Sequence, residues 1–331
     1  MDFKLLKKII EDNDSFLLTT HVNPDADAIG SEIAMYEVLK KLNKKISIIN
    51  HSETPYYLQF LDSENIIKKF NPDTDKKYFE EADVLIALDF NRLNRLASMA
   101  NTFSESNKIK IRIDHHQDSE NFVDHFFDDK NSSATGHILY NFITQSNIVE
   151  LDHKIAYPLY AAIMTDTGSF RFERTNAELH RVIANLLDTG VDPVEVYDKI
   201  YDQSKPGKLR LLGRALDSIK LIGKDKIAYM SLTQNDLAES KASESDTDGF
   251  VNYTLSIENV VLGMLFIELI KGFKVSFRSK GKVPVDKLAA QFGGGGHTNA
   301  AGVRFHDSSL NDEIDNILKS AENFLINNTR V

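Results

Sequence analysis

The chain has 331 residues, 42% hydrophobic and 27% charged, which suits about two globular domains and excludes wholesale disorder. It contains no cysteine, so disulfides, thiolate metal sites, iron–sulfur clusters and a Cys nucleophile are excluded, and any metal must be held by His, Asp and Glu. Its net charge of −10 offers no global field for long duplex nucleic acid, though metals or local Arg and Lys can reverse the field at a site for small phosphates.

Met1 to Ile10 alternates Lys with Leu and Ile at helical spacing and has no continuous apolar run ending in a cleavage site, so it does not read as a signal peptide. Phe16 to Thr20 reads as a strand, Ile29 to Leu42 as a helix and Ile46 to Ile49 as a strand. Val84 to Leu88 and Ile109 to Ile113 are two more strands. Helical spacing covers Thr135 to Gln145, Lys154 to Met164 and Asn176 to Leu187. Apolar strands separated by helices predict parallel βαβ units and a doubly wound sheet.

Gly190 and Pro193 close one helix and open the next. A long helix is expected from Pro206 to Leu221. Lys226 to Leu232 begins a second unit, with strands near Val260 to Ile270 and Phe273 to Arg278 and a final helix from Asn311 to Leu325. Glu239 to Gly249, rich in Ser, Asp and Glu, reads as a mobile surface loop. The expected organisation is α/β: a first unit over 1–190, a helical linker over 191–222, and a smaller mixed-sheet unit over 223–331. Val260 to Ile270 is the most apolar stretch and is too short to span a bilayer, so a cytoplasmic protein is expected.

The acids and histidines fall where an open parallel sheet binds its ligands, beyond the carboxyl ends of strands. His21, Asp25 and Asp27 follow the first strand. The plain alternative makes Asp27 a helix N-cap and His21 incidental. The placement recurs, however: Asp89 follows the Val84 to Leu88 run, Asp114-His115-His116 follows Ile109 to Ile113, and Asp166 closes a helix. Five carboxylates and up to three imidazoles without a thiol suit two hard or borderline divalent ions, Mn²⁺ first, with Mg²⁺ or Co²⁺ as alternatives. Unpaired, so many acids would repel one another; two cations remove the conflict and suit phosphoester hydrolysis. In the second unit, Gly293, Gly294, Gly295 and Gly296 run into His297, and Thr298-Asn299-Ala300 are expected to open a helix. Exposed backbone N–H groups there would cradle an anion, with Arg278 as a bidentate phosphate grip.

Taken in order, these motifs resemble the DHH phosphoesterase superfamily, in its DHH plus DHHA1 subgroup, over nearly the whole chain. One departure is Ala26, where the family often carries Gly. The resemblance implies that His21, Asp25 and Asp89 hold one metal. Asp27, Asp89, His115 and Asp166 would hold the other, with Asp89 bridging. It implies that His116 faces the scissile phosphate as donor or general acid, that Asp114 orients the histidine pair, and that Asn23 reaches the site. Arg278, Ser279, Gly293 to Gly296 and His297 would hold the substrate's far phosphate or nucleotide in a cleft between the domains. Length and domain pairing are most similar to the NrnA-type oligoribonucleases, which implies short RNA, a dinucleotide or adenosine 3′,5′-bisphosphate as substrate, with cyclic di-AMP or a linear dinucleotide as the alternative. A second copy of the chain is a candidate partner; long duplex nucleic acid and membrane are not. Phe170, Phe172 and Phe292 are candidates for stacking on a base, against the plainer reading that most of the 20 Phe are core.

Overall fold

The computed structural model describes residues 1–328, with the side chain of His297 left out. The chain forms two compact units, Met1–Gln203 and a second from Ser204 on.

In the first unit, β1 (Ser15–Thr19), β2 (Lys45–Asn50), β3 (Ile67–Lys69), β4 (Val84–Leu88), β5 (Ile109–Asp114) and β6 (His125–Asp128) form one sheet in the order β3-β2-β1-β4-β5-β6. Every neighbouring pair is parallel. The order reverses beside β1, so the doubly wound sheet has its switch point between β1 and β4, where such sheets bind ligands. All five residues of β4 are buried, as expected of a central strand covered on both faces. β3 and β6 escape sequence reading because they are short and polar: Ile67-Lys68-Lys69 and His125-Phe126-Phe127-Asp128 lack a long apolar run.

The helices of this unit are α1 (Phe3–Asp12), α2 (Ala26–Lys41), α3 (Lys76–Glu81), α4 (Ala100–Glu105), α5 (Thr135–Ser146), α6 (His153–Asp166), α7 (Ala177–Leu187) and α8 (Pro193–Tyr201). The helices α2, α5 and α6 come unusually close, and glycine makes this possible. A methyl group on Gly30 would stand 2.5 Å from the Pro158 carbonyl oxygen, and one on Gly136 would stand 2.7 Å from the Ala162 β-carbon. Both distances are below any normal contact, so these two positions must lack a side chain if the three helices are to converge.

The second unit contains α9 (Pro206–Asp217), α10 (Gln234–Ser240), α11 (Val285–Ala290) and α12 (Leu310–Asn328). Its strands are β7 (Lys220–Ile222), β8 (Ile227–Leu232), β9 (Leu262–Glu268), β10 (Phe273–Ser279), β11 (Gly295–His297) and β12 (Ala300–Phe305), in the order β11-β12-β10-β9-β8-β7. β8 and β9 run parallel and the other pairs antiparallel, which makes the sheet mixed. One face packs Phe266, Val275 and Phe277 against Leu288, Ile317 and Phe324. The opposite face of β8 and β9 packs Met230, Leu232, Leu265 and Ile267 against Leu211, Ala215, Phe250 and Val251.

Three expectations are corrected here. The helix from Pro206 stops at Asp217, because Lys220–Ile222 is claimed by antiparallel pairing with β8. Thr298-Asn299-Ala300 open no helix; they join β11 to β12 in a hairpin, with His297 opposite Ala300. Glu239 to Gly249 is ordered: α10 runs to Ser240, and Glu244–Thr247 form a 3₁₀ turn in which Ser243 and Asp246 cap each other reciprocally. Asp246 and Thr247 are buried.

Candidate metal centre

The first cluster of polar residues follows β1. His21 is buried, and its Nδ1 lies 2.9 Å from the Val22 carbonyl oxygen, which places the ring proton there and leaves Nε2 as a lone-pair donor. Nε2 stands 3.5 Å from Asp89 Oδ2 and 4.0 Å from Asp25 Oδ2. The N-cap of α2 is Asp25, not Asp27: its Oδ1 accepts from the backbone N–H of Asp27 and Ala28, each at 3.1 Å. Asp27 caps a different helix. Its two oxygens accept from the N–H groups of Thr135 at 2.7 Å and Gly136 at 2.9 Å, at the start of α5, whose own flanking residue Ala134 supplies no side-chain cap. A carboxylate at a helix N-terminus satisfies orphan donors and meets the positive end of the helix dipole.

Asp89 follows β4 with φ of +66°, a left-handed backbone that a non-glycine residue adopts at some cost. Thr135 Oγ1 donates to its Oδ1 at 2.9 Å. Beyond β5, His115 Nε2 lies 3.1 Å from Asp166 Oδ2, 3.5 Å from Asp89 Oδ1 and 3.8 Å from Asp27 Oδ2. Asp166 is the last residue of α6. Asp114 is buried, and its Oδ1 accepts from the His116 backbone N–H at 3.3 Å and lies 2.6 Å from His116 Nδ1. Within each of three sets the potential ligand atoms thus lie within 4.8 Å of one another: His21 with Asp25 and Asp89, Asp27 with His115 and Asp166, and Asp89 with His115 and His116.

Burial first, and then the Asp25 charge, pushes Asp27 up to about 6. Burial, reinforced by Asp27, Asp25 and Asp166, holds Asp89 well above the ordinary carboxylate range, and burial with Asp27 and Asp25 does the same for Asp166. Burial pushes His21 down to about 4. Against burial, His21 brings Asp25 below its ordinary value and the His116 hydrogen bond does so for Asp114. Crowded carboxylates beside a neutral imidazole are a donor set that divalent cations would satisfy, and the all-oxygen-and-nitrogen chemistry fits hard or borderline ions. The residues present therefore fit a pair of such metals.

Several residues that brace this site are invisible to motif reading. Thr20 Oγ1 donates to the Leu88 carbonyl at 2.8 Å, tying the residue before His21 to the residue before Asp89. The Thr20 N–H donates to Asn50 Oδ1 at 3.1 Å, and Asn50 Nδ2 donates to Glu32 Oε2 at 2.8 Å. Thr20, Asn50 and Glu32 are each fully buried. Burial pushes Glu32 up to about 8, despite the opposing Asn50 bond. Opposite them, the Val22 N–H donates to the Arg95 carbonyl at 2.8 Å, in a turn that holds Ala97 at φ 48° and ψ −117°. Polar ends of apolar strands were the only available signal for Thr20 and Asn50. Thr135 and Arg95 had none. Asn23 is exposed, and its N–H donates to Ser52 Oγ at 3.0 Å.

The second unit carries the other expected residues. Arg278 lies on β10 and Nη1 donates to the Phe277 carbonyl at 3.0 Å; burial lowers its pKa, with Asp248 opposing. Ser279 is buried, its hydroxyl donating to the Val283 carbonyl at 2.6 Å and accepting from Asn299 Nδ2 at 2.9 Å, so its proton is engaged within the loop. Gly293 has φ of +78° and Gly296 has φ of +147°. A methyl group on Gly294 would collide with Gly302 and Val303, whereas one on Gly295 would meet nothing within 4 Å. A methyl group on Gly293 would likewise meet nothing within 4 Å, so Gly293 and Gly295 are the open positions of the run. His297 ends β11, and its side chain lies outside the described residues. Phe292 packs near Phe305 and Phe170 near Tyr160, while Phe172 is 54% exposed.

A family model described as the DHH family, N-terminal domain, matches residues 15–163, and a DHHA1 domain model matches residues 224–327. The bifunctional oligoribonuclease and PAP phosphatase NrnA of Thermus thermophilus is 31% identical over 303 residues, covering 92% of this chain and 88% of that protein. The protein of the same name from Bacillus subtilis is 25% identical, covering 93% and 94%. The crystal structure of an exopolyphosphatase-related protein from Bacteroides fragilis superposes with a TM-score of 0.89 at 32% identity, covering 98% of this chain and 95% of that one.

Proposed function

Because the chain belongs to the DHH/DHHA1 phosphoesterase family and is a metal-dependent hydrolase, we propose that it degrades very short oligoribonucleotides and converts adenosine 3′,5′-bisphosphate to AMP and phosphate. The observation that carries this reading is His115 Nε2, within 3.8 Å of carboxylate oxygens from Asp27, Asp89 and Asp166, residues far apart in sequence. Such convergence, at the ligand-binding edge of the sheet, supports a cation site there.

His21, Asp25 and Asp89 would hold one divalent ion, and Asp27, Asp89, His115 and Asp166 the other, with Asp89 shared. When bound, two such ions, Mn²⁺ by preference for this mixed oxygen and nitrogen set, activate water and take up charge developing on a phosphoryl group. Thr135 keeps Asp89 oriented and the start of α5 keeps Asp27 in place. Asp114 accepts the Nδ1 proton of His116, which leaves Nε2 as the exchanging atom. When the ring is doubly protonated, an imidazolium that the Asp114 carboxylate stabilises, Nε2 gives its proton to the leaving oxygen. In the second unit, Arg278 and the open backbone at Gly295, with His297, would bind the nucleotide that does not react.

The test is release of mononucleotide and phosphate in Mn²⁺ from 5′-phosphorylated di- and pentaribonucleotides, adenosine 3′,5′-bisphosphate and cyclic di-AMP. Turnover of the short RNAs and the bisphosphate is expected. Turnover of cyclic di-AMP alone would keep the metal chemistry and overturn the substrate.

A further inference from the structure

The acidic stretch Glu239 to Gly249 has no part in the reading above, yet it faces a row of cations. Along β10 the buried Phe273, Val275 and Phe277 alternate with Lys274, Ser276 and Arg278, which therefore share the opposite face. Lys274 pairs in register with Arg304, Ser276 with Gly302 and Arg278 with Ala300. Residues 274, 278 and 304 thus put cations around a floor of Ser276, Gly302 and Ala300. The same face of β8 and β9 is apolar and covered. On the β10 and β12 half, the charges are met by one short segment. Glu244 Oε1 lies 3.1 Å from Lys274 Nζ and also bonds Arg304 Nη2. Asp248, four residues on, has Lys274, Lys208 and Arg278 as charged neighbours. Four cations therefore meet two carboxylates in a chain whose net charge is −10.

A single carboxylate oxygen shared between an ammonium and a guanidinium occupies the place that an oxygen of a phosphodiester would take. The reciprocal cap of Ser243 and Asp246 fixes the turn that presents it. We propose that Lys274 and Arg304 form a phosphodiester subsite for RNA beyond the nucleotide at Arg278, and that Glu244 occupies this subsite until RNA displaces it, so limiting the length of RNA bound. The proposal rests on the function given above. Lys274 and Arg278 are four residues apart on one strand, about 13 Å between their Cα atoms at about 3.3 Å per residue, so the oxygen position shared by Lys274 and Arg304 is a separate place along the strand from the Arg278 guanidinium. A bisphosphate held at Arg278 would leave the Glu244 site untouched, while a longer RNA would reach it. Glu244 and Arg304 are partly exposed, and exposed ion pairs are weak enough for a phosphate to replace the carboxylate.

The experiment compares the wild type, Glu244→Gln, Lys274→Gln and Arg304→Gln on adenosine 3′,5′-bisphosphate and on 5′-phosphorylated di-, tri- and pentaribonucleotides, with melting temperatures to separate folding effects. The ratio of kcat/KM for the pentanucleotide over the bisphosphate should rise roughly fivefold in Glu244→Gln, through KM, and fall comparably in the other two. Equal effects on every substrate, or none, overturn the proposal. If the wild type cleaves none of these compounds, the functional reading has failed on its own. Fluorescence anisotropy of a labelled pentanucleotide with metal-free protein then decides the subsite: tighter binding by Glu244→Gln upholds it, and unchanged binding overturns it.

Discussion

The metal centre and the β10–β12 face solve opposite charge problems. In the first unit, Asp27, Asp89 and Asp166 crowd together with no Lys or Arg in hydrogen-bond contact among the described residues, and burial together with their mutual repulsion drives their pKa values up. In the second, Lys274 and Arg304 already have Glu244 as a counter-ion. One site lacks a counter-ion that added cations would supply; the other carries an anion of its own, which on our proposal RNA displaces. A buried cluster of like charges is therefore the stronger mark of a missing partner, because an exposed cluster can be answered from within the chain.

Removing the shared carboxylate should break this contrast most severely. Asp89→Asn is expected to lower kcat by at least about a hundredfold, the usual cost of losing one group that stabilises transition-state charge. It should also stabilise the metal-free protein at neutral pH. The raised acids hold protons in the native state that the unfolded chain releases, so metal-free wild-type stability falls as pH rises from the ordinary carboxylate range through about 6. Melting curves in chelator between pH 5 and 8 should show this fall reduced in Asp89→Asn. A variant that loses activity with no gain in metal-free stability would mean that repulsion at Asp89 is not what the cations relieve.

Asp114→Asn should have a smaller effect, lowering kcat by about 10- to 100-fold while leaving KM nearly constant and shifting the pH–rate profile, because His116 loses its orienting carboxylate. Unaltered pH dependence would remove His116 from proton transfer. Glu32→Gln sharpens the comparison from another side, since Glu32 is buried and protonated yet lies outside the ligand sets. Its native pKa of about 8 means that its contribution is retained below its ordinary value of 4.5 and lost as pH rises towards 8. The variant should flatten the stability profile over that window by on the order of 2–4 kcal/mol, read by denaturant unfolding at pH 5 and pH 8.

The strand-end acids were legible because apolar runs such as Val84 to Leu88 break off at a polar residue, and the topology then gathers those ends. What supports them was not. Glu32 lies on α2, where 12 of 16 residues are buried, so no solvent face marks it as interior. Thr135 opens α5 with nothing in its neighbours to announce a bond to Asp89. β11 and β12 were missed because Gly and Ala replace the branched residues that signal a strand, and their pairing comes from the rest of the sheet. Ser279 had a recognisable motif position, but its hydroxyl closes the Val283 and Asn299 loop, a use that only tertiary structure reveals.

Asp27 gives one oxygen to each of two successive amides at the start of α5. Any change in the charge it carries is therefore transmitted to the first turn of a helix that itself contributes no ligand atom. With Asp27 as a metal ligand, as proposed, hydrogen exchange at the Thr135 and Gly136 amides is expected to be slow when cations hold Asp27 as an anion and faster when it is protonated. The helix start would then work as a built-in reporter, readable without following the reaction.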